Sequence, residues 1–169
     1  MRAILGMTLA LAAGAATAQQ GEIANGAAFG DWRVSCDALS NARTACRVVQ
    51  TQNVAQTGQL VANFLAYPLE GGEALFVAQV PMGVYLPAGA VYRPQEPADS
   101  DQRELIWQRC GGEICEAALQ MDGAEVTGLS AGGAILFGYQ MDPGSPPVIT
   151  RVDMTGFDEA LAALAGDGG

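Results

Sequence analysis

Residues 104–121 read ELIWQRCGGEICEAALQM, and this stretch sets the pattern for the whole chain. Two runs with the composition of β-strands, 104–110 and 114–121, flank a Gly-Gly pair, which is a strong turn signal. Cys110 and Cys115 stand at the ends of that turn, where a disulfide bond between them would clamp it. The stretch therefore predicts two strands joined by a cross-linked turn.

Short runs of the same kind recur along the rest of the chain, separated by turn-forming residues. They cover residues 32–36, 46–54, 59–67, 74–80, 91–93, 134–140 and 147–154. The run 91–93 is confined by Pro87 and Pro94, and because proline cannot donate a backbone hydrogen bond, this run is predicted to be an edge strand. Regularly spaced short strands predict an all-β fold, an antiparallel sandwich or barrel-like domain of about eight or more strands.

Two segments have helical character. The segment 122–131 is short and polar, and its apolar residues Val126 and Leu129 lie three positions apart. This spacing is consistent with one or two helical turns. Phe157, Leu161 and Leu164 follow one another at helical spacing and predict a short amphipathic helix near the C-terminus. No internal repeat or dividing linker is visible, so a single domain is predicted over residues 19–169.

The first residues have the pattern of an export signal. A positive start at Arg2 is followed by an uncharged apolar run over residues 3–13, and residues 16–18 (ATA) fit a cleavage box of small residues. The apolar run is shorter than the roughly 20 residues that a membrane-spanning helix needs, and no later stretch reaches that length. We therefore predict that residues 1–18 are a cleaved signal peptide and that Gln19 becomes the N-terminus. The protein is predicted to be periplasmic, envelope-associated or secreted. A retained N-terminal anchor is the alternative.

The charged residues exclude several classes of function. The chain has 18 acidic residues and 8 basic ones, all of them arginine, and it has no lysine and no histidine. Without histidine there is no Ser-His-Asp triad and no imidazole metal site, and without lysine there is no Schiff base or P-loop. The net charge of −10 becomes −11 if Arg2 leaves with the signal peptide. Scattered arginines in so acidic a chain do not suit nucleic acid or an anionic membrane surface, and no catalytic residue, metal ligand or cofactor is predicted.

Four cysteines in an exported chain predict disulfide bonds. Three connectivities are open to Cys36, Cys46, Cys110 and Cys115. Local pairing, Cys36 with Cys46 and Cys110 with Cys115, is the most economical, and each bond would add roughly 2–3 kcal/mol to the free energy of unfolding. The intervening gaps of nine and four residues do not match the C-x-x-C spacing of a zinc site or of a redox-active pair.

The acidic residues concentrate in the second half of the chain, where residues 96–169 hold 13 acids against three arginines. Such a surface could attract a basic partner or divalent cations, although a merely solvated surface has the same composition. Two tyrosines in and after a proline-rich crossover are the better candidates for exposed contacts, and the alternative is that they cover the end of the sandwich. Trp32 and Trp107 lie within strand patterns and are predicted to be in the core. The predicted partner surface is Tyr85, Tyr92, Glu96, Asp99, Asp101 and Glu104.

Several stretches of the sequence together resemble one protein family. They are FGDWRVSC at 29–36 with CRVVQ at 46–50, VPMGVYLPAG at 80–89, the cysteine-containing stretch 107–116, and GFDEALAAL at 156–164. In this order they resemble the invasion-associated locus B family of exported bacterial proteins. The resemblance implies a β-rich domain in the periplasm or on the cell surface. Some members of the family are linked to the entry of pathogens into host cells, and for most of them no molecular activity is established.

These observations predict a non-enzymatic exported protein that binds another protein of the envelope or of a host, and that binds no nucleic acid. One alternative is a periplasmic carrier of a small ligand or a cation, which would need a concave binding site. The other is an exported glycoside hydrolase, which would need two facing carboxylates in a cleft. The absence of histidine and the family resemblance favour the binding protein, and the sequence does not predict an oligomeric state.

Overall fold

The structure is a computed structural model, and it describes residues 23–41 and 43–167. The predicted signal peptide and the predicted N-terminal residue Gln19 lie outside the described residues. Within those ranges the chain forms ten β-strands and two α-helices. The strands are β1 Ala28–Phe29, β2 Trp32–Ser40, β3 Arg43–Asn53, β4 Leu60–Pro68, β5 Ala74–Pro81, β6 Ala90–Pro94, β7 Arg103–Gly111, β8 Ile114–Met121, β9 Ala134–Tyr139 and β10 Val148–Asp153; the helices are α1 Gly123–Gly132 and α2 Phe157–Asp167.

The ten strands form a continuous antiparallel sheet in the order β1-β2-β3-β4-β5-β8-β7-β6-β9-β10. All pairings between neighbouring strands are antiparallel. The sheet is open rather than closed into a barrel, because β1 and β10 are its two ends. The prediction of an antiparallel β fold with a C-terminal helix is therefore confirmed.

The sheet folds over on itself at β7. Leu105 pairs with Ala90 of β6, whereas Ile106, the next residue, pairs with Ala118 of β8. A strand that changes its partner in this way turns a corner between two layers. The two layers pack face to face, and the rings of Phe64 on β4 and Phe137 on β9 lie 5.0 Å apart in an edge-on contact.

The two tryptophans differ in burial. Trp32 is completely buried, its ring centroid lies 4.7 Å from that of Phe157 on α2, and its indole N–H donates to the Asp153 carbonyl at 2.9 Å. One side chain thus connects the start of β2 to α2 and to the end of β10. The prediction of a core position is confirmed for Trp32 but is only partly right for Trp107, which packs at the margin of the core and donates to the Leu86 carbonyl at 3.1 Å.

Both cysteine pairs lie directly opposite each other on antiparallel strands. Cys36 faces Cys46 across β2 and β3, and Cys110 faces Cys115 across β7 and β8. Their Sγ atoms are 2.13 Å and 2.00 Å apart, respectively, which is disulfide distance. Each pair lies on the two strands of one hairpin, and the Cys110–Cys115 pair lies directly beside its turn.

β6 is an interior strand, so the prediction of an edge strand at residues 91–93 is wrong. β6 lies between β7 and β9. The N–H of Gln95 donates to the Ala134 carbonyl of β9 at 2.9 Å. Because hydrogen bonds in an antiparallel ladder alternate in direction, the nitrogen of Pro94 faces the opposite side, where β7 begins only at Arg103. The proline removes no ladder bond there, and an interior strand tolerates it.

The two helices contact each other, and the hydroxyl of Ser130 on α1 donates to the carboxylate of Asp158 on α2. α1 is longer than the one or two turns that the sequence predicts, and it begins after Asp122, whose side chain accepts the N–H of Glu125 at 2.8 Å. α2 buries Phe157, Leu161 and Leu164, the three residues that predict it. Among the described residues, no helix has both the length and the apolar character needed to cross a membrane.

Candidate functional site

A groove of about 480 Å³ lies between the loop that joins β6 to β7 and one side of α1. We call it the tyrosine groove, and we define it by the tyrosine and the charged side chains that line it: Tyr92, Glu96, Asp101, Arg103, Asp122 and Glu125. Its apolar lining comes mainly from prolines of the loop and from small residues of α1. With four carboxylates against one guanidinium, the groove has an excess of negative charge.

The floor of the groove is a hydrogen-bonded trio of Tyr92, Glu125 and Arg103. The hydroxyl of Tyr92 donates to Oε1 of Glu125, and Nη1 of Arg103 lies 2.8 Å from Oε2 of the same carboxylate. Only 1% of Tyr92 is exposed. Burial, together with the hydrogen bond to Glu125, raises the pKa of the Tyr92 hydroxyl well above its ordinary range, so the hydroxyl remains a donor. The floor therefore has a fixed arrangement of donors and acceptors.

Local sequence places two members of this trio, Tyr92 and Glu125. Along β6, Ala90 and Tyr92 point into the core, whereas Val91 points outward, as alternation requires. Asp122 caps the N-terminus of α1 through the N–H of Glu125. Glu125 thus lies in the first helical turn, where the helix dipole stabilises a carboxylate.

The loop wall is fixed at both ends. At its first residue, Gln95, the backbone N–H donates to β9 and the side-chain oxygen accepts from Nε of Arg151 at 2.9 Å. The wall ends at Arg103, which forms an ion pair with Glu125 of α1. Between these anchors, Glu96 and Asp101 are exposed, and neither forms an ion pair with another residue of the described chain. The wall therefore offers two solvated carboxylates above the fixed floor.

Three residues of the predicted partner surface line this groove: Tyr92, Glu96 and Asp101. Tyr92 is buried in the floor, so the prediction that it is exposed is wrong. Its strand is interior to the sheet, and its ring packs edge-on against Phe76, with the centroids 6.2 Å apart.

The other three predicted residues lie outside the groove. Tyr85 is half-buried, and its backbone N–H donates to the Gln140 carbonyl at 2.8 Å. Asp99 is exposed on the same loop but does not line the groove, and Glu104 is exposed on β7 near Gly89. Because neighbouring residues of a strand point to opposite faces, Glu104 turns away from the groove that Arg103 enters.

Sequence reasoning missed the contribution of α1. Asp122 and Glu125 have the spacing of a capping box, in which a helix begins between a capping residue and an acidic residue three positions on. That signal could have identified the start of the helix. It could not have placed Glu125 against Tyr92, because the two residues are 33 positions apart in sequence.

The acids of the groove are not arranged as a metal site. Among residues 23–41 and 43–167, no group of three or more Asp, Glu, Cys or His side chains is disposed to hold a metal ion. Asp122 is occupied as a helix cap, and Glu125 is occupied by Tyr92 and Arg103. The remaining exposed carboxylates are suited to contacts with cationic groups of another molecule.

Comparison with known proteins identifies the family. The family model described as invasion associated locus B (IalB) protein matches residues 32–165. The chain belongs to the invasion associated locus B family. The match extends from the start of β2 nearly to the end of α2, and so it includes the whole tyrosine groove.

Two relatives and one solved structure agree with this family. The invasion protein B homologues of two strains of Brucella abortus, 2308 and biovar 1 strain 9-941, are each 31% identical over 133 residues, which is 79% of this chain and 75% of theirs. The crystal structure of invasion associated protein b from Bartonella henselae superposes with a TM-score of 0.68 at 20% identity, covering 85% of this chain and 98% of that one. This IalB-family chain therefore has the fold of the Bartonella protein.

Proposed function

We propose that this IalB-family protein is exported to the cell envelope and acts there without catalysis, by binding a basic surface of another envelope or host protein through the tyrosine groove. The observation that carries the proposal is the position of two exposed carboxylates without an ion pair, Glu96 and Asp101, beside a hydrogen-bonded floor. Family membership and the names of the Brucella and Bartonella relatives support a role in the interaction with host cells. The apolar leader and the two cysteine pairs at bonding distance support export.

A preformed groove favours binding because little conformational entropy is lost when a partner binds to it. The Tyr92–Glu125–Arg103 floor is already hydrogen-bonded, so a partner has no buried group to reorganise. The negative charge of the whole chain would attract a basic partner from a distance and increase the rate of association. The surrounding prolines and small residues offer apolar contact beside the two charges.

Two carboxylates outside the tyrosine groove, Glu116 and Asp153, are unsuited to act as the acid of a glycoside hydrolase. A glycosidase needs one carboxylic acid whose pKa is raised, so that it can protonate the leaving group. Here the hydrogen bond from Arg109 holds the pKa of the Glu116 carboxyl below its usual range, and hydrogen bonds from Thr155 do the same for Asp153. Both of these carboxylates are held in the ionised form, which cannot donate a proton.

Charge reversal in the groove tests the proposal. The variant E96R/D101R is expected to lose a partner that co-purifies with the wild-type protein from chemically cross-linked cells, because both solvated carboxylates become repulsive. D99R/D142R is the matched control: it makes the same change in net charge at two exposed acids outside the groove. Quantitative mass spectrometry of the recovered complexes measures the difference, and intact mass shows whether the recovered protein begins at Gln19.

The proposal fails if the two double variants recover the same proteins in the same amounts, or if the wild-type protein is recovered only as a free monomer. A protein that keeps residues 1–18 and stays in the cytoplasm would contradict the proposed export. Circular dichroism of each variant checks that the fold is unchanged.

A further inference from the structure

A second and larger groove lies on the other side of α1, between this helix, α2 and the turn that follows β4. Its volume is about 1030 Å³, roughly twice that of the tyrosine groove. We call it the helix groove, and we define it by six lining residues: Leu69, Glu70, Val126, Asp158, Glu159 and Leu161. The two grooves share no lining residue, so they can be tested separately.

The floor of the helix groove is apolar. Val126 of α1 and Leu161 of α2 form its base and are nearly buried in the core. Leu69 stands at its edge with 39% of its surface exposed, and Ala162 is exposed beside it. A partner's apolar side chains can pack against the exposed leucine and the apolar floor beside it.

Glycines bring the turn and α1 close together at one end of the groove. Gly71 and Gly72 both have left-handed backbone conformations, with φ of +71° and +80°. A side-chain carbon at Gly123, the first residue of α1, would lie 3.1 Å from the Gly71 carbonyl oxygen. The turn therefore packs directly on the start of the helix, and its N–H at Leu69 donates to the Glu73 carbonyl at 2.8 Å.

The rim of the groove carries four carboxylates and no basic residue. Two of them are held in place by neighbours: Asp158 accepts the hydroxyl of Ser130 and the N–H of Glu159, and Glu73 accepts the side-chain amide of Gln120. Glu70 and Glu159 are exposed, and neither forms an ion pair with any residue of the described chain. An apolar floor inside an acidic rim is complementary to a segment that has an apolar face and flanking cations.

The geometry points to a binding site for a basic amphipathic segment of a partner protein, laid in the helix groove with apolar side chains on Val126, Leu161 and Leu69 and cations beside the rim. This inference goes beyond the proposed function, because it needs neither the tyrosine groove nor its partner. A second copy of this chain is a poor occupant. Of the seven arginines among the described residues, four are already in ion pairs within their own chain, namely 47, 103, 109 and 151. The other three, 33, 43 and 93, lie on three different strands, β2, β3 and β6, rather than in one amphipathic segment.

Binding of a synthetic peptide tests the inference. The probe is a fluorescein-labelled 15-residue peptide of leucine and arginine, with leucine at the i, i+3, i+4, i+7 positions, titrated with the purified protein at physiological ionic strength and followed by fluorescence anisotropy. The variant E70R/E159R is expected to bind at least about tenfold more weakly, a loss of about 1.4 kcal/mol. L69S tests the apolar contribution without changing charge and is also expected to weaken binding.

The matched control is D99R/D142R, which makes the same charge change at two exposed acids outside both grooves and is expected to bind within about twofold of the wild-type protein. Equal weakening by both double variants would overturn the inference, because it would show attraction to net charge alone. So would the absence of saturable binding to the wild-type protein, or equal binding of a peptide with glutamate in place of arginine. If this test fails while a cellular partner is still lost from E96R/D101R, the helix groove is not a site and the proposed function stands.

Discussion

Replacing Trp32 with alanine is expected to lower the free energy of unfolding by about 3–5 kcal/mol, a large share of the roughly 5–15 kcal/mol that holds a domain of this kind together. The side chain is completely buried against Phe157, and its N–H donates to the Asp153 carbonyl. Its removal would leave a cavity where β2, α2 and the end of β10 meet. Urea unfolding followed by far-ultraviolet circular dichroism measures the loss.

Trp107 provides a matched control for this prediction. It is also a strand tryptophan whose indole donates to a backbone carbonyl, but it lies at the margin of the core and is only partly buried. Trp107→Ala is expected to cost much less, because a partly solvated site leaves a smaller cavity. Equal losses from the two substitutions would contradict the conclusion that Trp32 holds β2, α2 and the end of β10 together.

Raising the pH above 10 is expected to destabilise the protein steeply, and Tyr92→Phe is expected to reduce that effect. Burial raises the pKa of the Tyr92 hydroxyl above its unfolded value of about 10, with Glu125 adding to the shift. Below pH 10 the hydroxyl is protonated in both states and contributes no pH dependence. Above it, the unfolded chain releases this proton while the folded chain keeps it, so the free energy of unfolding falls by about 1.4 kcal/mol per pH unit.

The amino-acid composition leaves few groups other than tyrosine that titrate in this range of pH. The chain has no lysine, and its four cysteines lie at disulfide distance, so tyrosine is the main group that titrates near pH 10. Burial also raises the pKa of the Tyr139 hydroxyl, so Tyr139→Phe is expected to act in the same direction. Denaturant unfolding between pH 9 and about 12 gives the slope; an unchanged slope for Tyr92→Phe would show that this hydroxyl is not buried in the native state.

Local signals predicted most of the elements of the fold. Alternation, turn residues and the spacing of Phe157, Leu161 and Leu164 depend only on neighbouring residues, and each corresponds to a strand or helix in the structure. The order of the strands in the sheet, by contrast, does not depend only on neighbouring residues. β5 pairs with β8 rather than with β6, and such an arrangement depends on which apolar faces pack together over long sequence separations.

The contrast between local signals and long-range pairing also explains the wrong prediction for β6. Pro94 predicts an edge strand when only its own segment is considered. The proline is tolerated inside the sheet because its nitrogen faces a position that β7 does not reach, and this becomes clear only when β7 and β9 are both in place. The burial of Tyr92 follows from the interior position of β6.

The candidate site was predictable only in part. The acidic segment before β7 pointed to Glu96 and Asp101, which line the tyrosine groove, but it grouped them with Asp99 and Glu104, which do not. Strand alternation alone would have separated Glu104 from the groove. The role of Glu125 required the packing of α1 against β6, which no local pattern specifies.

The most direct test of the central claim, binding of a protein partner in the tyrosine groove, is photo-cross-linking in living cells. A photoactivatable residue at Ala124, an exposed position that lines the groove, is compared with one at Ile149, which is exposed on β10 outside both grooves. We expect a discrete adduct from Ala124 that is absent from Ile149 and is lost when E96R/D101R is added. No adduct from Ala124, or the same adduct from both positions, would contradict the claim.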